Sequence, residues 1–411
     1  MARPELATIA RLLRTPDYRR LWLLGGIANA MRWVEVLAAT LWTFEATGSA
    51  LAVSVVAMMR ALPMLLLGAI AGSLAERVDR RRLLIALQAS SALGAGAVAL
   101  LAASGLLAPW HLMVQGLLAG LAWAGEMATR RRMAADAAAP ADLVPAVALD
   151  TLTGSTTRAI GPLLGGVLFQ WTGLAVAAAI ACALHLVALR LAMGVTPEPR
   201  RIVTGGAFAG IAEAARLAMG NPALRMVLGV TLVMNVFAFC YAAILPAFGA
   251  AAFAASGAAI GLLAAAEPFG ALLGGLWIAL GKRSPPGTTP LVLGSGVFLL
   301  LLIAVAFTEA YVIAWLLMAL GGLGTARFAA MQTSVVMVAA PPEIRSRMLG
   351  LVTTCIGMGP LGVLSAGALT DALGPRAAIA IMAGSGLLIL ALLVWHERRL
   401  PRVGTGDSRP D

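Results

Sequence analysis

The chain has 411 residues, 60% of them hydrophobic and only 12% charged, with a mean hydropathy of +0.91 and a formal net charge of +11. A soluble domain of this length needs far more polar residues to cover its surface, so the composition argues against a soluble enzyme. The positive charge does not point to nucleic acid either, because the arginines sit in short clusters between apolar runs, with no continuous basic face or stacking aromatics.

Apolar stretches recur from Leu21 to Trp395, each long enough to cross roughly 30 Å of hydrocarbon. Lipid offers the backbone no hydrogen-bond partner, so these stretches are predicted helices. The expected fold class is all-α and integral to the membrane, with spans at 21–43, 50–74, 83–103, 108–128, 147–169, 174–193, 223–247, 257–280, 290–308, 311–332, 349–370 and 376–395. Ala28-Asn29-Ala30 resembles a signal-peptidase site, but hydrophobicity resumes beyond Met31 and cleavage there would destroy a complete span. Cys182, Cys240 and Cys355 fall inside spans, far apart, and read as small apolar packing residues. Trp22, Trp42, Trp110 and Trp315 fit interfacial anchoring.

Basic residues set the orientation. Arg11, Arg14, Arg19 and Arg20 precede the first span. Arg77, Arg80, Arg81 and Arg82 follow the second, Arg130, Arg131 and Arg132 the fourth, and Arg200, Arg201 and Arg216 the sixth. Lys282 and Arg283 follow the eighth, Arg345 and Arg347 the tenth, and Arg398, Arg399 and Arg402 the twelfth. The alternate loops carry little beyond Glu45, Glu309, Asp371 and Arg376. All clusters fall on one side only if the number of spans is even and both termini are cytoplasmic, which implies a multi-pass membrane protein.

The two halves echo each other at an offset of about 200 residues, a repeat of one orientation about an axis along the membrane normal. Gly161-Pro162-Leu163-Leu164-Gly165 recurs as Gly359-Pro360-Leu361-Gly362, and Gly72-Ser73-Leu74 has a weaker echo in Gly274-Gly275-Leu276. The expected organisation is a cytoplasmic N-terminus (1–20), a six-helix bundle (21–193), a linker with a short interfacial helix (194–222), a second six-helix bundle (223–395) and a cytoplasmic tail (396–411). A substrate site is then expected between the two pseudo-symmetric bundles near the midplane.

The loop Gly72-Ser73-Leu74-Ala75-Glu76-Arg77-Val78-Asp79-Arg80-Arg81-Arg82 resembles the signature loop of the major facilitator superfamily, with Glu76 in place of the usual Asp and Asp79 in place of the usual Gly. The resemblance implies a cytoplasmic gating loop formed by Gly72, Glu76, Arg77, Asp79, Arg80 and Arg81; the bland alternative is plain positive-inside charge. Gly161, Pro162, Gly165 and Gly166 resemble the core of a motif that exporters of this superfamily carry in span five, although Ala148 and Thr157 stand where upstream glycines are expected. Ordinary glycine-rich helix packing is the competing reading. Thr47-Gly48-Ser49-Ala50-Leu51-Ala52, Arg60-Ala61-Leu62-Pro63 and Pro341-Pro342-Glu343-Ile344-Arg345-Ser346-Arg347 are similar to the macrolide-efflux and siderophore-exporter branch, a likeness running from about Tyr18 to Trp395. Span four has Gln115-Gly116 but carries Leu112 where drug:proton antiporters often have arginine, a departure that bears on proton coupling.

Ionisable groups at bilayer depth are costly, so each is a functional candidate. Arg32 and Glu35, three residues apart, can share a face and pair, or face a central cavity. Glu267 beside Pro268 reads as a lone carboxylate and candidate proton carrier, or as a neutral group bonded to nearby backbone. Arg60 and Arg158 pair across the bundle with Glu35 or Glu267, or offer positive charge to an anionic substrate. Glu126 and Arg130 suggest an interfacial salt bridge, Arg327 a snorkelling side chain, and Asn235 and Tyr241 either ligand or helix–helix hydrogen bonds. His111, His185 and His396 lack metal-ligand spacing, and no Gly-x-x-x-x-Gly-Lys-Ser/Thr loop is present for ATP.

The resulting expectation is a secondary active transporter working by alternating access, with proton-coupled export of a small amphipathic molecule such as a drug or siderophore. It needs no cofactor beyond a proton gradient, its partners are that substrate and the lipid bilayer, and it acts as a monomer. An uptake carrier or uniporter on the same fold is the alternative, and a membrane enzyme or non-transporting sensor has no motif to support it.

Overall fold

Prolines and short polar caps start many of the helices. Pro16, Pro109 and Pro222 occupy first-turn positions, where a missing N–H costs nothing, while Asp79, Asn221 and Ser256 accept from first-turn amides. The computed structural model describes residues 3–75, 79–139, 142–196, 211–281, 285–341 and 344–399. Helix α1 (Arg3–Arg14) leads into α2 (Pro16–Thr47), α3 (Ala50–Ala75), α4 (Arg80–Ala103), α5 (Pro109–Ala137) and α6 (Leu143–Met193). After α7 (Ile211–Gly220) come α8 (Pro222–Val233), a π-helical turn (Met234–Ala238), α9 (Tyr241–Phe253), α10 (Gly257–Leu280) and α11 (Thr288–Phe307). Then follow α12 (Tyr311–Ala339), α13 (Arg345–Gly357), α14 (Gly359–Leu373) and α15 (Pro375–Arg399).

At 51 residues α6 is far longer than a bilayer is thick at about 1.5 Å per residue, and it is two spans broken at Gly173 (φ 74°, ψ 176°). Conversely, α8 and α9 join through the π turn into one apolar passage, as do α13 and α14. Counted this way, the described residues make twelve passages: α2 to α5, the two limbs of α6, α8–α9, α10 to α12, α13–α14 and α15. Helix α1 and the early start of α2 at Pro16 were not expected from hydropathy. Polar side chains position them: the Arg11 guanidinium clamps Asp142 at 2.9 and 2.5 Å, and the buried Tyr18 hydroxyl donates to the Ala146 carbonyl at 3.0 Å.

Leu93, Leu100, Trp171 and Phe307 point outward at 73–76% exposure, the inverse of a soluble surface and the pattern of a lipid-facing one. Inside, the second half forms one continuous cluster around Val230, Phe248, Phe298 and Val336. The first half splits into three smaller clusters, leaving room for polar side chains and cavities between them.

The halves repeat in three dimensions. Gly374 (φ 86°, ψ 160°) breaks α14 from α15 as Gly173 breaks α6, about 200 residues earlier. Both lie in a region essentially reserved for glycine. Alanine at either position is expected to lower stability by about 1–3 kcal/mol, read as a reduced thermal midpoint in detergent. An unchanged midpoint in both variants would show that the turns relax freely.

Glycines carry the crossings between helices. A methyl group built on Gly165 would lie 2.9 Å from the Val34 carbonyl oxygen of α2, and Gly362 of α14 abuts Val236 of the π turn in the matching way. Gly166 and Pro162 on α6 meet Gly257 and Gly261 on α10, backbone against backbone, across the boundary between the halves. Beyond that seam, the Gln170 side chain accepts from the Ala258 amide at 2.8 Å. Its counterpart Asp371 accepts from Ser49 Oγ, Ala50 N and Leu51 N at 2.6, 2.7 and 3.2 Å, capping α3 from the other half. Each half thus caps a helix of the other at the end remote from the basic clusters.

Candidate functional site

The span-five glycines place α6 against both α2 and α10, and the polar groups sit where those helices meet. Glu35 of α2 accepts from both terminal nitrogens of Arg60 on α3 at 3.4 Å. Its other oxygen lies 3.2 Å from His185 Nε2, and His185 Nδ1 lies 3.3 Å from Gln88 Oε1. Arg32 and Glu35 do not pair. Spacing on the helix permits the pair, but groups on other helices take the carboxylate instead. Glu35 finds two cross-helix partners, while Arg32 lies against Trp123 and Trp33, its guanidinium carbon 4.4 and 5.1 Å from the ring centroids.

The arginines elsewhere are mostly neutralised. Arg130 is buried, held by Glu126 at 2.8 Å and Asp150 at 2.6 Å, with Arg131 also on Asp150 at 3.3 Å. Arg158 of α6 reaches across the boundary to Glu267 of α10 at 2.6 Å, and the other Glu267 oxygen accepts from Thr325 Oγ1 of α12 at 2.5 Å. Glu267 is therefore not a lone carboxylate: its side chain is 1% exposed and engaged by both halves of the protein. Among the ion pairs of the described residues, this is the one that joins α6 to α10.

Other expected site residues fall elsewhere. Asn235 sits on the π turn and donates to the Thr231 carbonyl of its own helix at 2.9 Å. Buried Tyr241 packs its ring on Phe298, and exposed Arg327 lies over the Trp277 ring at 5.4 Å. Trp22 is not a free interfacial anchor, since its indole donates to Thr153 at 2.9 Å. In the loop after α3, Asp79 caps α4 through the Arg82 amide at 2.9 Å, a role a glycine there could not play. Arg80 binds Asp136 at 3.2 Å and Arg81 the Met193 carbonyl at 2.5 Å, both within the first half. Gly72 lies in α3, whereas Glu76 and Arg77, like Lys282, Arg283 and Glu343, lie outside the described residues.

Sequence reasoning passed over His185, Gln88, Asp150 and Thr325. His185 lacks metal-ligand spacing, but a histidine in the middle of a span carries the same cost that singles out Glu35. Thr325 gave no signal, being compatible with any span.

Two pseudo-symmetric helical bundles, joined by the Arg158–Glu267 ion pair and wrapped in an apolar surface, have the build of a membrane transporter. The chain matches the family model described as transmembrane secretion effector over residues 7–411, and it belongs to that family of the major facilitator superfamily. It is 27% identical to the multidrug efflux pump Tap of Mycolicibacterium fortuitum, over 90% of this chain and 93% of Tap. It is 30% identical to the enterobactin exporter EntS of Salmonella choleraesuis (strain SC-B67), over 79% of this chain and 78% of EntS. The fold is similar to the nucleoside transporter NupG at a TM-score of 0.70 and 14% identity, covering 94% of this chain and 100% of that one. It is also similar to a bacterial homologue of the human lysosomal transporter Spinster in an inward-facing, unoccupied conformation. There the TM-score is 0.72 and the identity 16%, covering 93% of this chain and 97% of the homologue.

Proposed function

We propose that this chain exports a small amphipathic molecule across a bacterial inner membrane by alternating access, driven by proton re-entry, with both termini cytoplasmic. The observation that carries the reading is the pair between Arg158 of the first half and Glu267 of the second. Halves that rock against each other must strain or break a bond that spans them. A proton arriving on Glu267 removes its charge and weakens its hold on Arg158, so protonation and the rocking of the halves become linked. Helix packing supports the same step, because Pro162 and Pro268 lie one on each of the two helices that carry the pair. The names of the relatives, an efflux pump and an exporter, support outward transport.

The test begins with drug- and siderophore-class compounds screened in a strain stripped of its own pumps, with and without the chain. Efflux of any hit is then followed in inverted vesicles under an imposed pH gradient. Glu267→Gln is expected to abolish gradient-driven flux at unchanged protein level. Full flux in that variant would remove Glu267 from the mechanism, and net accumulation in right-side-out vesicles would turn the reading into an uptake carrier.

A further inference from the structure

Among the described residues, Arg32 is an arginine inside the first bundle that no carboxylate pairs, whereas Arg60, Arg130, Arg131 and Arg158 are each paired. One terminal nitrogen donates to Asn29 Oδ1 at 3.0 Å, but Nε and the other terminal nitrogen are buried without a hydrogen-bond partner. A buried guanidinium left this way is costly, and such a group is retained where something else completes it.

The surroundings show what would complete it. Arg32 lines three cavities in the first half: a crevice of about 20 Å³ beside Glu35, Glu126 and His185, and two larger ones. One of the larger two, about 240 Å³, is bounded mostly by apolar side chains of α2 to α6, among them Val56, Val98, Leu112 and Ala178, with the Glu35–Arg60 pair also in its wall. At its wall the Gln115 Oε1 atom is also buried without a partner. The other, about 200 Å³, is shared with Arg130, Arg131 and Arg158 and has Glu126 as a wall residue. Glu126 already binds Arg130, and Asp150 binds both Arg130 and Arg131. The second large cavity is thus walled by four guanidinium groups, and Arg32, Trp33 and Trp123 are common to it and the apolar chamber.

We infer that the first half contains a binding site for an amphipathic organic anion. Arg32 holds the acidic head and the adjoining chamber holds the apolar body. This deepens the export reading by naming the substrate class, and it rests on that reading for transport and its direction. The site accounts for the two unpartnered nitrogens of Arg32, and it lies wholly in the half whose core is divided.

The experiment measures equilibrium binding to the purified full chain by calorimetry, with three probes that share one ring system: 2-naphthoate, 2-naphthamide and 2-naphthylmethylammonium. The naphthoate is expected to bind on the order of tenfold to hundredfold more tightly than the other two, as charge-assisted hydrogen bonds to one guanidinium allow. Arg32→Gln is expected to erase that preference while its thermal midpoint stays level or rises, because a buried unpaired charge has been removed. A purely structural role for Arg32 predicts the opposite, a lower midpoint, and that result would count against the site. Ala57→Phe, which fills the chamber and leaves every charge in place, is expected to weaken naphthoate binding at least as much.

Equal binding of the three probes, or an anion preference that survives Arg32→Gln, would overturn the proposal. So would undiminished naphthoate binding in Ala57→Phe, which places the anion elsewhere. The assay contains no gradient and so stands apart from the transport test. Anion preference without any efflux sinks the export reading alone, and efflux by a chain with no anion preference sinks this one alone.

Discussion

Leucine at Gly261 or at Gly166 is expected to stop transport while leaving both halves folded. A methyl group at Gly261 would lie 2.6 Å from the Pro162 carbonyl oxygen and 3.1 Å from Gly166 Cα, and one at Gly166 would lie 3.0 Å from Gly261 Cα. These neighbours are backbone atoms and cannot swing aside. Overpacking of this kind costs about 1–3 kcal/mol or more, and here the cost falls on one conformation. The contact lies between the halves, so parting them at this seam relieves it without disturbing the core of either. A penalty of about 1–3 kcal/mol shifts a two-state equilibrium by a factor of roughly 5–150, away from the arrangement in which Gln170 and Asp371 cap the helices of the opposite half. The measurement is thiol accessibility. With Cys182, Cys240 and Cys355 replaced, a cysteine at Ala258 is expected to react with an impermeant reagent at least several-fold faster in Gly261→Leu than in the parent. Unchanged reactivity together with unchanged flux would mean that the seam yields locally and gates nothing.

The same seam shows where sequence was sufficient. Glycine and proline at 161, 162, 165 and 166 announced close packing, and the structure finds each glycine against a named neighbour: Trp33, Val34, and the pair Gly257 and Gly261. Hydropathy located the spans because lipid imposes one rule on every segment. It is silent on α1, which is held by Arg11 on Asp142, more than a hundred positions away, and no local pattern encodes such a bond. The site was legible in part for a related reason. Cost identified the charges that needed partners, and Arg60–Glu35 and Arg158–Glu267 were among the pairings weighed. Cost cannot choose a partner, however, and spacing alone favoured Arg32 for Glu35. The competing claims of His185 from α6 and Arg60 from α3 become visible only once the helices are side by side. Without Glu35, Arg32 is left with two unpartnered nitrogens, and that consequence of packing has no trace in the sequence.

Removing Arg158 is expected to destabilise the chain far more than removing its partner, and removing both should undo most of the damage. The asymmetry follows from burial. The Glu267 side chain is 1% exposed and that of Arg158 38% exposed, so a stranded arginine can turn toward solvent while a stranded carboxylate cannot. Breaking a buried pair costs about 3–5 kcal/mol. The half-open position of Arg158 and the remaining bond from Thr325 reduce this to about 2–3 kcal/mol for Arg158→Gln. That amounts to a thermal midpoint lower by on the order of 5 °C in a chain of this size. Glu267→Gln leaves a mobile cation and an amide that still accepts from Thr325, so its midpoint should barely move. The double variant puts two neutral amides in the gap, within reach of each other, and its midpoint should return close to that of the parent. The coupling read from these four chains is expected to be roughly 1–3 kcal/mol. Thermal unfolding in detergent measures it, provided that all four are scanned at one rate, since membrane proteins seldom refold. A double variant as unstable as the two single losses combined would show that the residues act separately. The rocking of the halves would then have to be coupled to protons somewhere other than the contact between α6 and α10. If the rescue appears in stability but not in transport, the pair is dispensable for folding, and its charge is what the transport cycle uses.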